Sequence, residues 1–118
     1  MDEIIWKINE CEFELDMEDA DTSERYLSAM EALKNYDSGE AVNIAEKIHK
    51  YCDVFRKFYD VLLGEGASAK IFNGIKDNKR KYDAVYESLL EFISNQRVAS
   101  DKRMNEIAQR YLPKRVKR

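Results

Sequence analysis

Few residues of this chain combine the type and the spacing that chemistry needs. His49 and Cys52 come nearest to a metal or nucleophile pair, three residues apart on a segment of helical periodicity. With Cys11 the only other thiol, no second His and no Cys-x-x-Cys, they do not complete a tetrahedral zinc site unaided. The single His and the scattered serines lack the spacing of a nucleophile elbow or triad. Asp19 and Asp21 begin an Asp-x-Asp pattern without the Gly and closing Glu of a calcium loop. Gly64-Glu65-Gly66 lacks the further Gly of a dinucleotide fingerprint, the Gly-Lys-Ser/Thr of a P-loop, and a preceding strand. Carboxylates abound, but no pair sits in the apolar setting that acid catalysis requires. The expectation is a non-enzymatic protein with no catalytic, cofactor-binding or metal-binding residues.

Charge is more informative. The net charge of −3 hides a strong asymmetry between the two ends of the chain. Ten acidic residues lie between Asp2 and Glu24 against Lys7 alone, whereas the last stretch from Arg97 carries eight basic residues against Asp101 and Glu106. A chain so polarised can dock head to tail or steer a partner to one end. The basic end, Pro113-Lys114-Arg115-Val116-Lys117-Arg118, could add sequence-independent phosphate contacts. An overall pI near 5.3 and the lack of helix-turn-helix spacing argue against a dedicated nucleic-acid-binding domain. No apolar run approaches the ~20 residues of a membrane span, and Met-Asp-Glu lacks the basic start of a signal peptide. A cytoplasmic protein with two ordinary free thiols is expected.

The elements that present these groups follow from a change of period. Cys11, Phe13 and Leu15 alternate with Glu10, Glu12, Glu14 and Asp16, the pattern of a strand with one apolar and one acidic face. With Ile4 to Ile8 before it, this reads as a hairpin turning near Asn9-Glu10, since Asn tolerates positive φ. Its apolar face, with Trp6, Phe13 and Leu15, must lie on helices or on another chain, because a lone ribbon is marginal in water.

Helical spacing then takes over. Asp19 to Thr22 begins a first helix with Tyr26, Leu27, Met30 and Leu33 as its stripe. Asp37 or Ser38 is expected to cap a second helix that runs to about Leu63. Its stripe of Ala41, Ile44, Ala45, Ile48, Cys52, Phe55, Tyr59 and Leu62 is widened by Tyr51, Val54, Phe58 and Val61, which marks the central helix. His49 falls outside that stripe and is expected at the surface. Gly64 is expected as a left-handed cap, followed by a short helix over Ala67 to Phe72 that Asn73-Gly74 closes. Asp77 is expected to cap the last long helix, with Tyr82, Val85, Tyr86, Leu89, Phe92 and Ile93 as its core face. Ser94 to Asp101 is polar and nearly free of a stripe. Met104, Ile107, Ala108, Tyr111 and Leu112 then resume helical spacing up to Pro113, either as a separate short helix or as a continuation.

Two segments resemble a known group. Trp6-Lys7-Ile8-Asn9-Glu10-Cys11-Glu12-Phe13-Glu14-Leu15-Asp16 and then Ala20-Asp21 and Glu24-Arg25-Tyr26 are similar to the opening of small proteins encoded by tailed phages and prophages of Gram-positive bacteria. Those proteins begin with a ribbon, an acidic segment and a helix with a Glu-x-Tyr pair. Cys52 to Asp60 followed by Leu63-Gly64-Glu65-Gly66-Ala67-Ser68-Ala69-Lys70-Ile71-Phe72-Asn73-Gly74 resembles their middle segment, and Tyr82 to Phe92 their closing helix. The turn departs from the group in having Asn-Glu for Asn-Gly, and Asn73 stands where the group has Gly. The resemblance spans about residues 4 to 96 and implies a product of the tail-gene cluster. That product would be a tail-assembly chaperone that coats the tape-measure protein, with only Gly64, Gly66 and Phe72 carried over as structural positions.

The expected fold is therefore α+β and predominantly helical, an N-terminal β-hairpin packed on a bundle of three to four helices. Residues 1–96 form the domain and 97–118 a basic helical tail or extension. Met104, Ile107, Tyr111, Lys114, Arg115, Lys117 and Arg118 are the candidate partner-binding residues. The expected partner is a protein of the phage tail, with self-association through the oppositely charged ends, in the bacterial host cytoplasm and away from membranes. Two rival functions fit the same residues: a small regulator or anti-defence protein that inhibits a host complex, and a nucleic-acid-binding accessory protein acting through the basic tail.

Overall fold

The computed structural model describes residues 2–36, 39 and 42–111. A single 3-10 turn, Asp2–Ile4, leads into β1 (Ile5–Ile8), which pairs antiparallel with β2 (Cys11–Glu14). Four helices follow: α1 (Ala20–Lys34), α2 (Ile44–Leu63), α3 (Ala67–Ile71) and α4 (Lys79–Tyr111). The fold is α+β and predominantly helical, as the change of period predicts.

The hairpin turns at Asn9 and Glu10, with φ of 49° and 66°. Two consecutive positive φ angles are what a tight two-residue loop needs to match the twist of its strands. Trp6 pairs with Phe13 across the ladder, while Glu12 and Glu14 stay on the exposed face. Trp6 and Leu15 are buried; the Trp6 ring stacks on Tyr59 and its Nε1 donates to Ser88 Oγ at 3.1 Å. The ribbon thus gains from α2 and α4 the cover it cannot supply itself. Its turn is held by α3, where Asn9 Nδ2 donates to Ile71 O at 3.0 Å and Cys11 Sγ to Lys70 O at 3.3 Å. These bonds satisfy carbonyls at the α3 C-terminus that have no partner within the helix.

Helix α2 is central and touches α1, α3 and α4. Cys52, Phe55, Phe58, Tyr59 and Leu62 are buried along it, and Trp6, Tyr26, Phe72 and Tyr86 close around their rings. Each fully buried ring of this kind contributes roughly 1.5–3 kcal/mol. Arg25 of α1 donates to Leu62 O at 3.2 Å, which caps α2 from outside.

Several expectations need correction. Helix α2 starts at Ile44, with Asn43 as its cap: Asn43 Oδ1 accepts from Glu46 N at 2.8 Å, and Glu46 reaches back to Val42 N at 2.6 Å. That reciprocal pair satisfies two amides at once. Asp37, Ser38 and Ala41 lie outside the described residues. Ile44 and Ala45 are exposed, because the neighbouring helices cover α2 only from Ile48 onward. Val61 is exposed as well, so the widened face is only partly covered.

Leu27 is exposed, and Ala29 with Thr22 is what α1 buries instead. Gly64 has φ 109° and ψ 153°, a positive-φ extended conformation, and Gly66, at φ 91° and ψ −7°, takes the left-handed one at the start of α3. Asp77 does not cap α4. Asn78 does so, its Oδ1 accepting from Lys81 N at 3.0 Å. Between the two alternatives for the C-terminal segment, α4 is continuous through Ser94 to Asp101 and on to Tyr111. At ~1.5 Å per residue its 33 residues span about 50 Å, which accounts for most of the 67 Å long axis.

Candidate docking surface

Gln96 and Arg103 tie the second half of α4 to the N-terminal segment. Gln96, only 4% exposed, reads three backbone groups of the N-terminal segment. Its Oε1 accepts from Met17 N at 2.6 Å, and its Nε2 donates to Leu15 O at 2.8 Å and to Glu3 O at 3.0 Å. Two turns further on, Arg103 pairs with Glu3 at 3.0 Å and with Glu18. Hydrogen bonds from Ser100 and Arg103 hold the Glu18 carboxyl below its ordinary range. Arg103, expected as part of a basic helical tail or extension, is bound to the acidic start of the chain.

Past Arg103 the cover stops, but the stripe does not. Leu89, Ile93, Gln96, Ser100, Ile107 and Tyr111 are spaced by three, four or seven residues, so they share one face of α4 with Met104 beside them. The first half of that row is core. In the second half Met104 is 65% exposed, Ile107 41% and Tyr111 75%. The three candidate residues described are thus brought together on an overhang of eight residues, about 12 Å long. Arg110 lies over the Tyr111 ring at 5.5 Å. Leu112, Lys114, Arg115, Lys117 and Arg118 lie outside the described residues.

Alongside the row runs the seam between α1 and α4, bridged by a Tyr86 hydroxyl donating to Met30 Sδ at 3.6 Å. Two clefts open along it. One, of about 300 Å³, is lined by Met17, Glu18, Tyr26, Ile93, Gln96, Arg97 and Ser100, where α4 leaves the body. The other, of about 530 Å³, is lined by Leu27, Met30, Glu31, Leu33, Lys34 and Tyr86. Leu27 is exposed because it lines this second cleft, and among the described residues no element crosses that face of α1.

A second polar cluster joins α2 to the start of α4. Arg56 Nη1 donates to Asp77 Oδ1 at 2.7 Å and to the Tyr82 hydroxyl at 3.0 Å, and His49 Nδ1 meets Asp77 Oδ2 at 2.7 Å. A carboxylate only accepts, so the His49 proton sits on Nδ1. Burial by itself would raise the Asp77 carboxyl, yet the bonds from Arg56 and His49 outweigh it and leave it lowered. Beside it Tyr51 donates to Asp83, which also takes Lys79 Nζ at 2.9 Å. Burial likewise works against the Asp83 carboxylate, and its two donors more than reverse that. Each oxygen of the two carboxylates accepts from a donor within this cluster, which suits a clasp between α2 and the start of α4. Cys52, buried beneath this cluster, has its thiol pushed up first by burial and then by Asp77. That makes it a poor nucleophile.

Gln96 and the clefts were not legible from the residues one by one. Gln96 falls inside the stretch read as stripe-free, although its position three after Ile93 keeps it on the core row. That register is the only signal that could have singled it out.

The fold and surfaces define a small helical domain with an N-terminal hairpin, an anchored long helix and an uncovered apolar end. Among the described residues no group of three or more His, Cys, Asp or Glu side chains is placed to hold a metal ion, and no helix is long and apolar enough to cross a membrane. The chain belongs to a family of unknown function (DUF6673), whose profile matches residues 9–118. That match takes in the hairpin turn and β2, all of α4 and the basic end. No curated protein and no solved structure matches the chain.

Proposed function

We propose that this protein works without catalysis, as a phage tail-assembly chaperone-like helper that binds tail proteins through helix faces. One observation supports this reading above others: the core-facing row of α4 runs on uncovered through Met104, Ile107 and Tyr111. An apolar helical row without a cover is a surface for another helix. The cleft between Leu27, Leu33 and Tyr86 adds a second apolar site on the same side of the domain. A long helical client such as a tape-measure protein offers many equivalent segments for such short rows. The hairpin and the α3 segment, which carry the resemblance to tail-cluster proteins, are in direct contact through Asn9 and Cys11. The helper acts in the bacterial host cytoplasm, with no cofactor and no membrane or nucleic-acid partner.

The test is co-expression of the tagged full chain with the products of its neighbouring genes. A tail protein should co-purify with it, and Leu27→Glu together with Met104→Glu should reduce its recovery several-fold. Recovery of no tail protein, or of a host complex in its place, would overturn the reading.

A further inference from the structure

We infer that the outer edge of β2 takes an extended segment of a partner protein as a third strand, one in which basic and apolar residues alternate. The site is separate from the uncovered row of α4, so it goes beyond the function proposed above and is tested apart from it.

The backbone itself points to the occupant. Leu15 N donates to Ile4 O at 2.7 Å, which makes Ile4 and Leu15 a hydrogen-bonded pair of the antiparallel ladder. Such pairs alternate with non-bonded ones. In this register Phe13 and Cys11 are therefore bonded to Trp6 and Ile8, whereas Glu12 and Glu14 stand opposite Lys7 and Ile5 without bonds. The N–H and C=O of Glu12 and of Glu14 thus turn away from β1. The sheet has two strands, and among the described residues these four groups have no hydrogen-bond partner. They repeat every two residues, about 7 Å, which is the spacing of another strand. While β1 lies against α4, β2 borders an open cleft of about 330 Å³ that separates it from the turn between α2 and α3. An edge with room beside it is a template for an added strand.

Side chains set the pattern of the incoming segment. Residues opposite Glu12 and Glu14 would share their exposed face, and the residue between them would turn inward with Phe13. The inward position meets the cleft, which Phe13, Leu63 and Ala67 line with apolar groups and Gly64 leaves without a side chain. An aliphatic side chain suits it. On the exposed face Glu12 and Glu14 are joined by Glu10 at the turn and Glu65 across the cleft. Among the described residues none of these four carboxylates has an ion-pair partner. Lys7 stands across the ladder from Glu12 and Lys70 lines the cleft, which leaves the edge net acidic. Opposite charges facing each other across strands are favourable and like charges are not. A second β2 edge is therefore repelled, and Lys or Arg at alternate positions is favoured.

A capped five-residue peptide, Lys-Val-Lys-Val-Lys, titrated at low salt into the ¹⁵N-labelled full chain tests the site. Saturable shifts are expected, largest at the Glu12 and Glu14 amides, and those two amides should become protected from solvent exchange. No shift along β2 at millimolar peptide would overturn the inference, whichever protein co-purifies with the chain. The same peptide methylated on its lysine backbone nitrogens keeps its charge but loses the donors that face β2. It should bind at least about tenfold more weakly, the scale of one or two hydrogen bonds lost. Equal binding of the two peptides would reduce the contact to charge alone and refute strand addition.

Variants of the edge read the same contact from the protein side. Glu12→Pro removes an outward N–H and no ladder bond, a change that edge strands tolerate. It should weaken the peptide several-fold while the fluorescence of Trp6 stays as in the parent chain. Glu12→Lys with Glu14→Lys changes only exposed side chains and should abolish the gain seen at low salt. Unaltered affinity in either folded variant would refute the surface named.

Discussion

Gln96 shows how much a single polar side chain can organise when it is buried with all its bonds made. It holds Met17 N, Leu15 O and Glu3 O at once, and so fixes where the hairpin ends against α4. Gln96→Leu keeps the volume but leaves a buried donor and two acceptors without partners. A loss of about 2–4 kcal/mol is expected in urea unfolding, since each unsatisfied group costs about 1–3 kcal/mol. A loss below the measurement error would mean that water or a rearranged chain end satisfies those groups. Tyr59 is the reverse case. Among the described residues its buried hydroxyl has no hydrogen-bond partner, and burial pushes its pKa up. Tyr59→Phe removes an unpaired polar atom and keeps the ring, so stability should hold or rise by up to ~1 kcal/mol. A clear loss would reveal a hidden partner for that hydroxyl.

At the scale of elements, the hairpin turn and the clasp at α4 each carry a measurable cost or gain. Glu10 sits at φ 66°, where a side chain is disfavoured and Gly is not. Glu10→Gly should therefore stabilise the fold by ~0.5–1 kcal/mol, read as a raised melting temperature. The clasp predicts a pH dependence. Asp77 has its pKa lowered in the folded chain, so its share of stability is full above the unfolded carboxyl value near ~4. That share is lost as pH falls through the lower folded value. Acid unfolding should consequently be less steep in Asp77→Asn, whose stability at neutral pH is already reduced. Parallel acid profiles for the two proteins would show that the carboxylate contributes nothing specific.

For the whole molecule the question is where α4 stops belonging to the body. Gln96 and Arg103 are the last residues of that helix seen tied to other elements. A chain ending after Arg103 should keep its melting temperature within about 2 °C while weakening partner binding, since none of the described residues it removes is buried. A chain ending before residue 99 also loses the contacts of Ser100 and Arg103 with Glu18. Those contacts are exposed and screened by solvent, so that deletion too should leave the thermal midpoint nearly unchanged. A steep fall in either case would show that Met104, Ile107 and Tyr111 belong to the core after all.

Periodicity is a local property, and what it determines was legible in the residues alone. The alternation around Phe13 specified the hairpin, and Asn9-Glu10 its turn. The wide stripe of α2 specified the central helix, and the row from Tyr82 to Ile93 the inner face of α4. Caps were less legible, because Asp37, Ser38, Asn43, Asp77 and Asn78 are all chemically competent and only the path of the chain chooses among them. Asp77 in particular was drawn away by Arg56, twenty-one residues earlier. The same holds for the surface. An amphipathic row has the same pattern whether or not something covers it, so Leu27 and Ile107 look like core residues in sequence. Only the tertiary arrangement decides where the neighbouring elements run out, and with it which apolar residues close the fold and which are left for another chain.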